Sequence, residues 1–151
     1  MHDDIYYMNI AYKEALKALK EDEVPVGCVL VCNGDVIARG HNTRHQNNDV
    51  FGHAEINTLK EAQNKLNTWK LKDAILYVTL EPCPMCAGAL QQAGVKRIVY
   101  GAKDEKMGAC GGLFDFFITP KLNHYPYLTS GVLENECANI LKEYFLKKRK
   151  K

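Results

Sequence analysis

A chain of 151 residues is long enough to bury one compact core without a disulfide or a metal to hold it. Hydrophobic residues at 46% and charged residues at 25% lie near the globular average, which argues against a disordered or fibrous chain. The net charge of +2 is too small to mark a generally basic protein, and no apolar run is long enough to span a membrane.

In chain order, Ile5, Met8, Tyr12, Ala15, Leu16 and Leu19 recur at helical spacing, which predicts an amphipathic helix over about Asp4 to Lys20. Val24 to Cys32 and Val36 to His41 read as strands joined by Asn33-Gly34, a strong two-residue hairpin signal. A helix starting near His53 carries Ile56, Leu59, Ala62 and Leu66 on one side, and Ala74 to Leu80 is an apolar run suited to a strand covered on both faces. After Pro82, a helix from Cys83 to about Ala93 leads to a strand from Lys96 to Tyr100, so these two strands should be parallel. Residues 102 to 127 read as loop with room for one short helix, and a last helix runs from Leu133 to about Lys148. The expected fold class is α/β, a three-layer sandwich with a central mixed β-sheet of about five strands flanked by helices, in a single domain over 1–151.

The last five residues, Lys147, Lys148, Arg149, Lys150 and Lys151, are all basic. Of 20 basic side chains they leave 15 against 18 acidic ones, so the body is about −3 and the tail is read first as a solvated, frayed end, with phosphate contact as its functional alternative. The acidic start, Met1-His2-Asp3-Asp4, lacks signal-peptide character, which leads to the expectation of a cytoplasmic protein with reduced cysteines. Cys28, Cys32 and Cys137 fall on predicted apolar faces and read as core; Cys110, among glycines, is left open.

Two stretches carry chemistry: His53-Ala54-Glu55 and Pro82-Cys83-Pro84-Met85-Cys86. Cys83 and Cys86, three apart at a helix start, share a face and meet unpaired backbone donors that favour thiolates. With His53 they make a two-sulfur, one-nitrogen set suited to tetrahedral Zn²⁺, one ion per chain, and three protein ligands leave a fourth position for water. Glu55, two residues from the histidine, is placed to move protons there. A lone C-x-x-C is often a structural knuckle and a lone His-x-Glu means little; at two predicted helix starts they are specific together.

This H-x-E and P-C-x-x-C pair resembles the signature of the cytidine deaminase superfamily, a pattern common to zinc deaminases. Within it the chain is similar to the bacterial branch that converts the wobble adenosine of a tRNA anticodon to inosine. The likeness rests on Glu23-Val24-Pro25-Val26-Gly27, Leu76 to Cys83, Cys86-Ala87-Gly88-Ala89 and Tyr100 to Lys106. It implies His53, Cys83 and Cys86 as zinc ligands, Glu55 as proton shuttle, Asn42 as the side chain orienting the purine, Asp104 and Lys106 near anticodon nucleotides, Phe145 as a face for a flanking base, and a homodimer. Plainer readings are a turn cap for Asn42, a solvated charge pair for Asp104 and Lys106, and core packing for Phe145. Val50-Phe51-Gly52 and Cys110-Gly111-Gly112 depart from the branch's usual residues, the former adding an aromatic near the pocket mouth. Rival functions are deamination of a free base or nucleoside (guanine, cytosine or cytidine) and a non-catalytic, zinc-stabilised RNA-binding module.

Overall fold

The structure is a computed structural model and describes residues 2–149. Asp3 opens the first helix, its carboxylate accepting from the Tyr6 N–H at 2.9 Å. The elements then run α1 (Asp4–Lys20), β1 (Gly27–Cys32), β2 (Asp35–His41), α2 (Arg44–Asn47), α3 (Ala54–Leu66), β3 (Ala74–Leu80), α4 (Pro84–Ala93), β4 (Arg97–Ala102), a 3-10 turn (Phe116–Ile118), β5 (Tyr127–Thr129) and α5 (Glu134–Arg149).

The strands form one mixed sheet in the order β2-β1-β3-β4-β5. β1 is antiparallel to β2 and β3, whereas β3, β4 and β5 run parallel. The β1–β2 hairpin closes through Asn33 and Gly34, both at positive φ (51° and 85°), as a two-residue turn of this kind requires. Alternation divides the strand residues between two faces. Val29, Val31, Tyr77 and Val99 pack with Tyr7, Met8 and Ala11 of α1. Cys28, Leu30, Leu76, Val78 and Ile98 pack with Leu59 and Ala62 of α3 and with Ala87 and Leu90 of α4. Helix α5 lies on the α1 side, where Cys137 covers Gly101. Helices on both faces of the mixed sheet give the expected three layers.

The first strand begins three residues later than its apolar pattern suggests. Pro25 offers no N–H, and the Val26 N–H turns back to the Val24 carbonyl at 2.8 Å, so pairing starts at Gly27. There α1 crosses so closely that a Cβ on Gly27 would fall on the backbone of Ala11 and Ala15. The segment read as loop contains one short helical turn, and its last residue, Tyr127, opens β5, which pairs with Arg97–Val99 and was not foreseen. A three-residue strand has no period to detect. Cys28 and Cys137 are buried and Cys32 is half-buried against the core, as expected; Cys110 is buried after β4, and every cysteine is a free thiol. The basic end is not frayed as far as it is described: Lys147, Lys148 and Arg149 belong to α5, and the Lys148 Nζ pairs with Asp22 at 2.7 Å. Lys150 and Lys151 lie outside the described residues.

Candidate active site

His53 and Cys83 are the N-cap residues of α3 and α4, one position ahead of the helices in which the sequence placed them. Pro84, which lacks an N–H, occupies the first position of α4, where that donor would be unpaired anyway. The His53 imidazole makes no cap bond to α3; Asn42 Oδ1 instead accepts from the Ala54 N–H at 2.8 Å. The imidazole and both sulfurs therefore turn toward one another. His53 Nδ1 lies 3.6 Å from Cys83 Sγ and 3.6 Å from Cys86 Sγ, and the three donor atoms are within 4.8 Å of each other. A tetrahedral ion with Zn–S of about 2.3 Å and Zn–N of about 2.05 Å sets sulfur and nitrogen roughly 3.6 Å apart, so the donor set matches zinc in type and spacing.

The electrostatics suit a cation. The neighbouring Cys86 thiol, then His53 and the Cys86 N–H in the first turn of α4, hold the Cys83 thiol down to about 4 against its burial. Cys86 is driven far upward by the adjacent Cys83 and by burial, so the pair keeps one proton that a metal would displace. The bond to Cys83 raises His53. Glu55, on the first turn of α3 and 4% exposed, is pushed up to about 7, chiefly by burial and secondarily by the charge of Cys83, and its own backbone N–H and His53 pull the other way. A carboxyl in that range can both give and take a proton near neutrality.

These groups form the floor of a cleft of about 1320 Å³. Asn42, Asp104, Lys106 and Phe145 all line it, joined by Arg149 of the basic end and by Arg44 and Met107, which the sequence did not single out. Asn42 does cap a helix, as its plainer reading held, but its Nδ2 group has no acceptor among the described residues. Asp104 and Lys106 are not a charge pair: Asp104 Oδ1 accepts from the Lys106 and Met107 N–H groups at 3.0 and 3.2 Å, leaving the Lys106 ammonium outward. Phe145 is not core. It is 43% exposed and packs edge-on to Tyr144, while Cys137, Ile140, Leu141 and Tyr144 are the buried face of α5. Of the unusual Val50-Phe51-Gly52, it is Val50 that lines the cleft.

Two buried carboxylates also escaped the sequence reading. Glu23, 1% exposed, accepts from the His45 and Gln46 N–H groups at 3.1 and 2.6 Å and so caps α2. Glu81, 3% exposed, accepts from three N–H groups of the loop after β4. The only signal for either was an acidic residue beside an apolar strand and a proline.

Comparison with known proteins bears on what the cleft does. The sequence model of the MafB19-like deaminase family matches residues 2–149. A tRNA-specific adenosine deaminase of Bacillus subtilis (strain 168) is 48% identical over all of this chain and 94% of its own length. A solved tRNA:A34 deaminase, from work on A-to-I editing at the wobble position of transfer RNA, superposes with a TM-score of 0.85 at 46% identity, covering 90% of this chain and 99% of its own. A guanine deaminase from Nitrosomonas europaea superposes with a TM-score of 0.83 at 26% identity, covering 95% and 85%.

Proposed function

The chain belongs to the MafB19-like deaminase family and, within it, to the tRNA-specific adenosine deaminases, and from that premise we propose that its cleft hydrolyses the wobble adenosine of a tRNA anticodon to inosine and ammonia. The observation that carries the reading is the convergence of His53, Cys83 and Cys86 on one point beside the buried carboxyl of Glu55, at the base of a cleft too large for a base alone. Small-molecule pockets hold about 300–1,000 Å³, and this one exceeds them.

His53 Nδ1 and the two sulfurs would hold one zinc per subunit. Bound there, zinc supplies Lewis-acid activation of water, lowering its pKa toward about 7. Glu55 would move the two protons of water in turn, the first to the purine ring nitrogen, where inosine keeps it, and the second to the departing amine, so one water is consumed and one ammonia leaves. Its burial pushes the carboxyl upward from its ordinary value, which suits a group that has to give a proton back as well as take one. Asn42, with its carbonyl fixed on Ala54, presents Nδ2 as a donor to the base. The aromatic face of Phe145 takes a flanking base, and Lys106 meets the phosphate backbone. The anticodon loop is single-stranded, so splaying one base out costs only a few kcal/mol. We further take the protein to be one domain over 1–151, to act in the cytoplasm, and to work as a homodimer.

Incubating zinc-loaded protein with an anticodon stem-loop bearing a wobble adenosine, and in parallel with free guanine, cytosine and cytidine, tests the reading. Ammonia and inosine from the stem-loop, with little from the small molecules, is the expected result. Turnover of a free base alone supports the guanine-deaminase likeness instead, and RNA binding without inosine supports the non-catalytic module.

A further inference from the structure

Glu81 follows the last residue of β3 and precedes Cys83 by two positions, yet its carboxylate is not one of the metal-binding group and bonds instead to a loop. No cation pairs with it among the described residues. A carboxylate withdrawn from water without a counter-charge is costly unless hydrogen bonds replace its hydration. Backbone donors do so here: Asp104 N–H donates to Oε1 at 3.1 Å, and the Cys110 and Gly112 N–H groups each donate to Oε2 at 2.8 Å. The loop from 103 to 114 is thus wound around one side chain. A Cβ on Gly108 would fall on that carboxylate, and one on Gly112 would lie 2.7 Å from Oε1, so both positions need glycine for the wrap to close. A further bond, Ala109 N–H to the Pro82 carbonyl at 2.9 Å, ties the loop to the stretch that carries Cys83.

The other side of this loop is cleft wall. Asp104, Lys106 and Met107 line it, and Asp104 Oδ1 shapes the turn that displays Lys106. We propose that Glu81 is a positioning residue for the RNA substrate: it clamps the rim loop to the end of β3 and so fixes the reach from Cys83 to the side chains that meet the anticodon. The proposal rests on the deaminase reading above. Glu81 reaches the cleft lining but is almost wholly enclosed, with both oxygens engaged by the loop, so its influence falls on substrate capture rather than on proton transfer.

Glu81→Gln puts an amide NH₂ where backbone donors need an acceptor. In the full-length, zinc-loaded protein acting on the stem-loop, KM should rise about tenfold or more while kcat stays within about threefold and zinc remains stoichiometric. A cycle with Lys106→Ala separates positioning from general loosening. Lys106→Ala should raise KM in the wild-type background and add little in the Glu81→Gln background, because the clamp that presents Lys106 has already gone. A fall in kcat with KM unchanged, independent effects of the two substitutions, or no change overturns the proposal. If Glu81→Gln does not fold, Glu81→Asp decides: it keeps the charge but withdraws it by one methylene, and a wild-type KM there overturns the clamp. A wild-type protein that makes no inosine overturns the deaminase reading and the clamp with it, whereas an active wild type with a silent Glu81→Gln overturns the clamp alone.

Discussion

The floor of the cleft and its rim are built by different means. His53 and Cys83 cap two helices, with Glu55 and Cys86 in their first turns, and both helices pack on the same face of the sheet, so the scaffold that makes the core also sets their mutual distances. Arg44, Val50, Asp104 and Lys106 sit on a short helix and on loops whose placement depends on two buried carboxylates, Glu23 and Glu81, bonded only to backbone N–H groups. Substitutions in the floor should therefore change chemistry or metal content, and substitutions in the rim should change substrate binding.

The largest effect expected is in the floor. Cys86→Ala removes a proposed ligand and should abolish both zinc retention and turnover, read by metal analysis of the purified protein and by inosine formation; chelation of the wild type should do the same, with activity restored by added zinc. Glu55→Ala should keep zinc and RNA affinity but lower kcat by about 10² to 10⁴. A variant that loses affinity instead would move Glu55 from floor to rim. On the rim, Phe145→Ala should weaken stem-loop binding by about 1–3 kcal/mol with an unchanged melting temperature, because the ring is 43% exposed.

The smallest effect is expected far from both. Asp4, held below its usual value mainly by its hydrogen bond to Arg97, is joined to it at 2.6 Å across the outer ends of α1 and β4. Because its folded-state pKa is depressed, the contribution is present above the unfolded value near 3.8 and is lost as pH falls through the folded one. Both partners are partly solvated, so Asp4→Asn should cost no more than about 1 kcal/mol at pH 7, and the gap in denaturation midpoint should narrow as pH falls below 3.8. Activity should be untouched at neutral pH.

How far each region could be read beforehand follows the same division. Helices α1, α3, α4 and α5 and strands β1 to β4 announce themselves because each buries a face with a regular period, and the Asn33-Gly34 turn needs no tertiary help. The convergence of the floor was legible because His53-Ala54-Glu55 and Cys83 to Cys86 put metal-binding residue types at two helix starts, and the fold brings His53, Cys83 and Cys86 together. The rim was not. Helix α2 exists because Glu23, some twenty residues earlier, caps it, and the 103–114 loop is shaped by Glu81; neither contact leaves a local pattern. Phe145 continues the apolar stripe of α5, and only the packing of Tyr144 beneath it shows that the stripe ends one residue earlier. β5 is specified by pairing with β4 and by Arg97, whose guanidinium donates to Thr129 Oγ1 at 3.0 Å.

X-ray absorption at the zinc edge of the loaded protein tests the central claim most directly. The account expects two sulfur neighbours at about 2.3 Å and two lighter ones, nitrogen or oxygen, at about 2.0 to 2.1 Å. A third sulfur, which would bring in Cys110 and close the site, or fewer than two, would contradict it.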